Sequence, residues 1–218
     1  MTTSFKPPPP ELVAALERSR RHGDTAGREG RPFLLAFEEL TDTDLAGAVL
    51  IDATLQEANL SGCRLDGALF YDALANGLRL VGARIARAGF TKAELVASDF
   101  SGAEGPEAVF TKATLHKARF DGGQFPGASF RGANCLDASF RDAMLEGADF
   151  SRALLDRADF RGAALANANF TGAVLSSSTR FQSSRGLDRV TVERILIDDT
   201  SYEGAAAREA LAKLRGGT

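Results

Sequence analysis

The chain has 218 residues, of which 44% are apolar and 25% charged, and its formal net charge is −3. That composition supports a single folded domain with a core, and the absence of an apolar run near twenty residues excludes a membrane-spanning helix. Two cysteines and two histidines are too few for a disulfide framework or for most histidine-based catalytic or metal chemistry.

The opening MTTSFKPPPPE has no apolar core of a signal peptide, so a cytoplasmic location is expected. Residues 1–9 run into the prolines at 7–10 and read as an extended tail. Glu11–Arg21 then reads as a helix with Leu12, Ala15 and Leu16 on one face, and HGDTAGREGRP breaks it. The cluster Arg18, Arg20 and Arg21 reads as a solvated helix face in preference to an anion site. Phe33–Phe37, FLLAF, leads into a long repetitive region and is expected to help seal its open end.

From Leu45 to Leu175 a large apolar residue recurs every five residues, preceded two positions earlier by a small one. A helix at about 100° per residue would scatter such a series over all faces, and a continuous strand would point alternate members the wrong way. The chain must therefore bend once per repeat. The small residue and the large one share an inward-facing extended piece, and the other three residues turn the corner, where glycine recurs two places after the large residue.

A second period, of twenty, divides the large residues into four rows. Leu45, Leu65, Ile85, Gly105, Phe125, Leu145 and Leu165 define side 1. Leu50, Phe70, Phe90, Phe110, Phe130, Phe150 and Phe170 define side 2. Leu55, Ala75, Leu95, Leu115, Cys135, Leu155 and Leu175 define side 3, and Leu60, Leu80, Phe100, Phe120, Phe140 and Phe160 define side 4. Like residues stacked at that interval predict a four-sided coil of six to seven turns, with coils about 4.8 Å apart and phenylalanine filling the core from opposite sides 2 and 4.

Three irregularities interrupt the rows: Ala75 with Leu78 in a small position, Gly105 beside Pro106, and Gly123 with Phe125 and Pro126. The first two are expected to be local repacking rather than a bulge or ligand site, with Leu78 filling what Ala75 leaves open, and the third a slightly different corner. Cys63 and Cys135 are predicted to point inward on opposite sides, too far apart for a disulfide and suited to reduced core thiols. After Leu175 the five-residue pattern is read as ending, with Arg180 falling on a central position and an aromatic displaced to Phe181. Val190, Val192, Ile195 and Ile197 form two alternating pairs, and EGAAAREALAKLR reads as a terminal helix with Ala207, Ala210, Leu211 and Leu214 on one stripe.

The literal repeats Ala58-Asn59-Leu60-Ser61-Gly62 and Ala168-Asn169-Phe170-Thr171-Gly172 make residues 40–180 resemble the pentapeptide repeat proteins. The match is specific, because 22 of the 26 small positions from Ala48 to Ala173 are alanine. The resemblance implies an all-β, right-handed quadrilateral β-helix, here with an N-terminal helix and a C-terminal helical cap. The expected divisions are 1–32 for tail and helix, 33–182 for the coil and 183–218 for the cap. Its best understood members resemble duplex DNA in size and charge, bind type II topoisomerases such as DNA gyrase and protect them from inhibitors. They are rod-like dimers joined at their C-terminal ends, which places the expected homodimer contact at Val192, Ile195, Ile197, Leu211 and Leu214.

No nucleophile–histidine set, Walker A loop, dinucleotide glycine motif or complete calcium loop occurs. The expectation is a binding protein and not an enzyme, with no cofactor or metal, a protein partner (DNA gyrase, or no topoisomerase at all if the rod is a general scaffold), no direct nucleic-acid contact and no membrane association. Charges of both signs are interspersed on the predicted outer surface, a departure from the uniform acidity that DNA mimicry requires.

Overall fold

A computed structural model describes residues 5–26, 29–30, 32–36 and 38–216. Its organising feature is a ladder of parallel bridges, each joining a residue to the one twenty positions later, from Leu34↔Thr54 through Leu154↔Val174. The bridges recur every five residues, so four sides complete each turn of a β-helix. Each side contributes one bridged residue, flanked by its inward small and large neighbours. The two-residue step between those neighbours brings both to the same face.

The corners explain the rest of the repeat. The amide of each small residue donates to the carbonyl of the preceding large one, as from Ala48 to Leu45 at 3.1 Å, closing a four-residue turn. Position two of the corner has positive φ throughout, 65° at Gly102 and 59° at Lys112, whereas position one does not, the signature of a type II turn. Glycine suits that position because it has no Cβ to strain. The ladder leaves one amide per repeat unpaired, that of corner position one. The Asp or Asn before the large residue accepts from it, as Asp99 does from Ser101 at 2.9 Å and Asn169 from Thr171 at 3.0 Å. This side-chain cap is the physical reason for Asp or Asn in the motif.

Inside, twelve phenylalanines are fully buried. Those of side 2 stack along the axis, 4.8 Å apart from Phe130 to Phe150, and those of side 4 do the same, 4.9 Å from Phe120 to Phe140. Rings from the two sides meet edge to face at 5.3 Å, as Phe130 meets Phe140. The irregularities are matched within the core. Leu78 and Ala75 are both fully buried, and the Phe125 ring fills the volume left by Gly105 and Gly123, where added Cβ atoms would come within 2.7 and 2.4 Å of it. Two inward polar residues find backbone partners: Ser98 Oγ donates to the Ala75 carbonyl at 2.9 Å and Cys63 Sγ to that of Leu40 at 2.7 Å.

Both ends are closed by elements that replace a missing coil. Helix α1 (Pro10–Asp24) lies on side 2, where the buried Ser19 hydroxyl donates to the Val49 carbonyl at 2.7 Å, an edge acceptor with no earlier coil to pair with. Lys6 pairs with the other exposed edge, giving its amide to Asp42 and accepting from Asp44, both at 2.8 Å. Phe33 is buried beneath them. Phe37 and residues 1–4 of the expected tail lie outside the described residues.

At the far end the coil does not stop where the five-residue pattern does. One inserted residue shifts the ladder to Asp159↔Arg180, and a second shifts it to Asn169↔Thr191. Arg180 therefore faces outward, and Phe181 takes the central position and stacks on Phe160 at 5.0 Å. The pairs Val190/Val192 and Ile195/Ile197 are the small and large positions of a last, wider coil, so the boundary expected at 182 falls inside the β-helix. Strand β1 (Val174–Leu175) pairs in parallel with β2 (Arg194–Ile197), which turns through Asp198 and Asp199 into antiparallel β3 (Thr200–Glu203). Helix α2 (Gly204–Gly216) then covers the end with Ala207, Ala210 and Leu211. Side 3 carries nine rungs from Leu34 to Leu196, a coil about 38 Å long at the strand spacing of about 4.8 Å.

Candidate interaction surface

The residues expected to join two chains are spent inside one. Val192, Ile195, Ile197 and Leu211 are buried in the last coil and its cap, and Leu214 packs partly buried against the same core. They offer no apolar face to a second copy, and the physical reason is the two-residue slip: it carries the Val and Ile pairs into inward positions. The ten phenylalanines of sides 2 and 4 from Phe70 to Phe170 are likewise interior. Function must be sought on the outer columns and corners.

No chemistry of the interior competes for that role. Burial pushes the Cys63 thiol up to about 11 and raises that of Cys135 further, so neither supplies a thiolate near neutral pH. His22 lies 3.1 Å from Asp52, and His116 lies 3.9 Å from Asp137 on a different corner. Among the described residues no group of three or more His, Cys, Asp or Glu is placed to hold a metal, and no helix is long and apolar enough to cross a membrane.

The outer surface divides into two halves. Columns on sides 4 and 1 are rich in charge, and the charges pair along the axis with the next coil. On side 1 Arg64 Nε donates to Asp44 at 2.9 Å, and on side 4 Arg119 lies 3.9 Å from Asp99; at the corners, Arg87 meets Glu107 at 2.8 Å between sides 1 and 2, and Arg157 grips Asp137 through two bonds at 2.7 and 2.8 Å between sides 3 and 4. The hydrogen bond from Arg64 holds the Asp44 carboxyl below its ordinary value, and Arg157 does the same for Asp137. Burial pushes Asp159 up, but hydrogen bonds from Arg161 and the charges of Arg161 and Arg141 outweigh it and leave its pKa low. Asp137, Arg157 and Asp159 belong to a shallow groove of about 540 Å³ where Arg119, Arg141, Arg157 and Arg180 face Asp121, Asp137 and Asp159. Mutual pairing neutralises most of it.

Sides 2 and 3 are different. From Val49 to Asn169 the side 2 column has one charged residue, Asp149, and from Thr54 to Val174 the side 3 column has one, Glu94. Face-by-face summation of charge in the sequence hides this division, because corner residues are added to the columns. The signal lies in the register: columns and corners must be counted separately.

The pentapeptide repeat profile matches eight copies, over residues 39–72, 63–102, 90–124, 124–157, 133–172 and 153–179. The chain belongs to the pentapeptide repeat family. A pentapeptide repeat β-helix is right-handed, which gives the coil its sense. Among solved structures, a trypsin-treated variant of QnrB1, a plasmid-mediated fluoroquinolone resistance protein, aligns with a TM-score of 0.58 at 15% identity, covering 77% of this chain and 91% of that one. HetL from the cyanobacterium Nostoc sp. strain PCC 7120, a pentapeptide repeat protein involved in heterocyst differentiation regulation, aligns at 22% identity over 84% of this chain and 97% of its own, with a TM-score of 0.26. No curated protein is a significant sequence match. At 15% identity the likeness to QnrB1 establishes the fold alone.

Proposed function

We propose that this pentapeptide repeat protein is a non-enzymatic binding rod that acts on a type II topoisomerase, DNA gyrase, modulating it or protecting it from inhibitors. The observation that carries the binding reading is the division of labour within the repeat. Every inward residue is committed to packing or to its hydrogen bonds, which leaves a rigid surface about 38 Å long of outward side chains at fixed spacing. The fold shared with QnrB1, a fluoroquinolone resistance protein, directs the choice of partner.

A second reading, a scaffold for a different protein partner in the cytoplasm, is favoured by the charge pattern. A DNA-like rod needs an acidic surface, whereas here many acids are paired with basic residues and the side 2 and side 3 columns carry one acid each. A gyrase supercoiling assay with and without a fluoroquinolone separates the two. The topoisomerase reading expects inhibition of supercoiling or relief from the drug at micromolar protein; neither effect leaves the scaffold.

A further inference from the structure

The corner between sides 2 and 3 carries an axial row of cations. Lys92, Lys112, Arg131 and Arg152 succeed one another there, one per coil at about 4.8 Å, over about 14 Å in all. All four are exposed. Only Lys92 has a carboxylate within ion-pair distance among the described residues, Asp72 at 3.9 Å, in contrast to the paired arginines Arg87 and Arg157 at the corners that follow sides 1 and 3. The Lys112 and Arg152 stems lean along the axis over the glycines of the next coil: a Cβ on Gly132 would lie 3.7 Å from the Lys112 stem, and one on Gly172 would lie 3.3 Å from that of Arg152.

The N-terminal end of the row abuts an apolar patch. Leu69, Tyr71 and Leu74 are 42%, 42% and 40% exposed, within one coil and around the same corner. Lys92 Nζ stands 5.5 Å from the Tyr71 ring centroid and joins patch to row. A monomer gains nothing from exposed leucines that lead into a row whose Lys112, Arg131 and Arg152 have no carboxylate within ion-pair distance among the described residues, and the two together match the anatomy of a recognition surface, an apolar anchor with a charged flank.

We propose that this corner docks an acidic amphipathic segment of a protein partner, laid parallel to the coil axis, with its apolar residues on Leu69, Tyr71 and Leu74 and its carboxylates over the cation row. Carboxylates on one face of a helix recur about every 5.4 Å, close to the coil rise, and an extended acidic strand can also track the row. A nucleic-acid backbone fits less well. It has no use for the exposed Leu69 and Leu74 beside the row. The inference rests on the protein being a binding rod and does not depend on gyrase being the partner.

Fluorescence anisotropy of the full chain with a labelled peptide bearing a leucine–phenylalanine anchor and then a run of glutamates tests it. Binding is expected to weaken as salt rises. It should fall by about tenfold or more in the triple variant Lys112→Glu, Arg131→Glu, Arg152→Glu, and by about fivefold in Tyr71→Ser, with thermal melts of both variants close to the parent. Three results would overturn it: no binding by the parent chain, equal binding by the triple variant, or a single-stranded DNA oligonucleotide binding as tightly as the peptide and indifferent to Tyr71→Ser. Peptide binding with no effect on supercoiling keeps the docking corner and removes gyrase. An effect on supercoiling that survives the triple variant, without peptide binding, does the reverse.

Discussion

The aromatic sides 2 and 4 and the aliphatic sides 1 and 3 enclose the same core but keep order in different ways. On the aromatic sides each ring touches its own kind above, below and across: Phe130 stacks on Phe110 and Phe150 and meets Phe120 and Phe140 edge-on. The aliphatic sides hold Ala75, Gly105 and Cys135 in the same structural position and recover the lost volume from neighbours, as Leu78 and Phe125 do. Regularity is therefore concentrated in two sides, and the other two tolerate variation because they pack against a rigid partner.

The largest effect should come from breaking the rigid side. Phe130→Ala removes a ring with four aromatic contacts and leaves a cavity that stacked coils cannot collapse around, at a cost of about 3–5 kcal/mol. Urea melts of the full chain measure it. A loss near 1 kcal/mol would mean that the aromatic rows are not the rigid element.

Next in size is a test of the compensating side. Gly123→Ala places a Cβ 2.4 Å from the Phe125 ring, so the ring must shift in a packed core, which costs about 1–3 kcal/mol. Phe125→Leu shrinks the obstacle, and in that background the same substitution should cost less than half as much. Additive costs in the double variant would show that Phe125 does not fill the glycine volume.

These pairings mark what could be read from the sequence. The inner register was legible because a Leu or Phe every five residues, sorted at twenty, admits one closed geometry, and repacking around Gly105 was expected, whereas Phe125 as the residue that fills it emerged only from the folded core. The ends were not. A single inserted residue between Leu175 and Phe181 defeats arithmetic on positions, although Thr179-Arg180-Phe181, Val190-Thr191-Val192 and Ile195-Leu196-Ile197 retain the two-residue step that marks an inward pair. Reading those apolar pairs as a dimer contact came from treating the pattern as finished. The docking corner was hidden for a related reason, since its cations occupy corner position two in some coils and position one at Arg131, and only the folded register lines them up.

The smallest effects separate the two kinds of outward residue that both aromatic sides carry. On side 4, Asp99 accepts from the Ser101 amide at 2.9 Å, and Asp99→Ala should cost about 1 kcal/mol by leaving that amide to water, while Asp99→Asn, which preserves the acceptor, should cost a fraction of it. The retained stability in Asn isolates the cap from the distant charge of Arg119, 3.9 Å away. At the corner of side 2, Thr111 shares only a hydroxyl contact with Ser129 at 3.1 Å, so Thr111→Ala should cost under about 0.5 kcal/mol. If the Thr111 and Asp99 alanine variants melted at the same urea concentration, the Asx cap would lose its standing as the reason for Asp and Asn in the repeat, and the motif would reflect surface solvation alone.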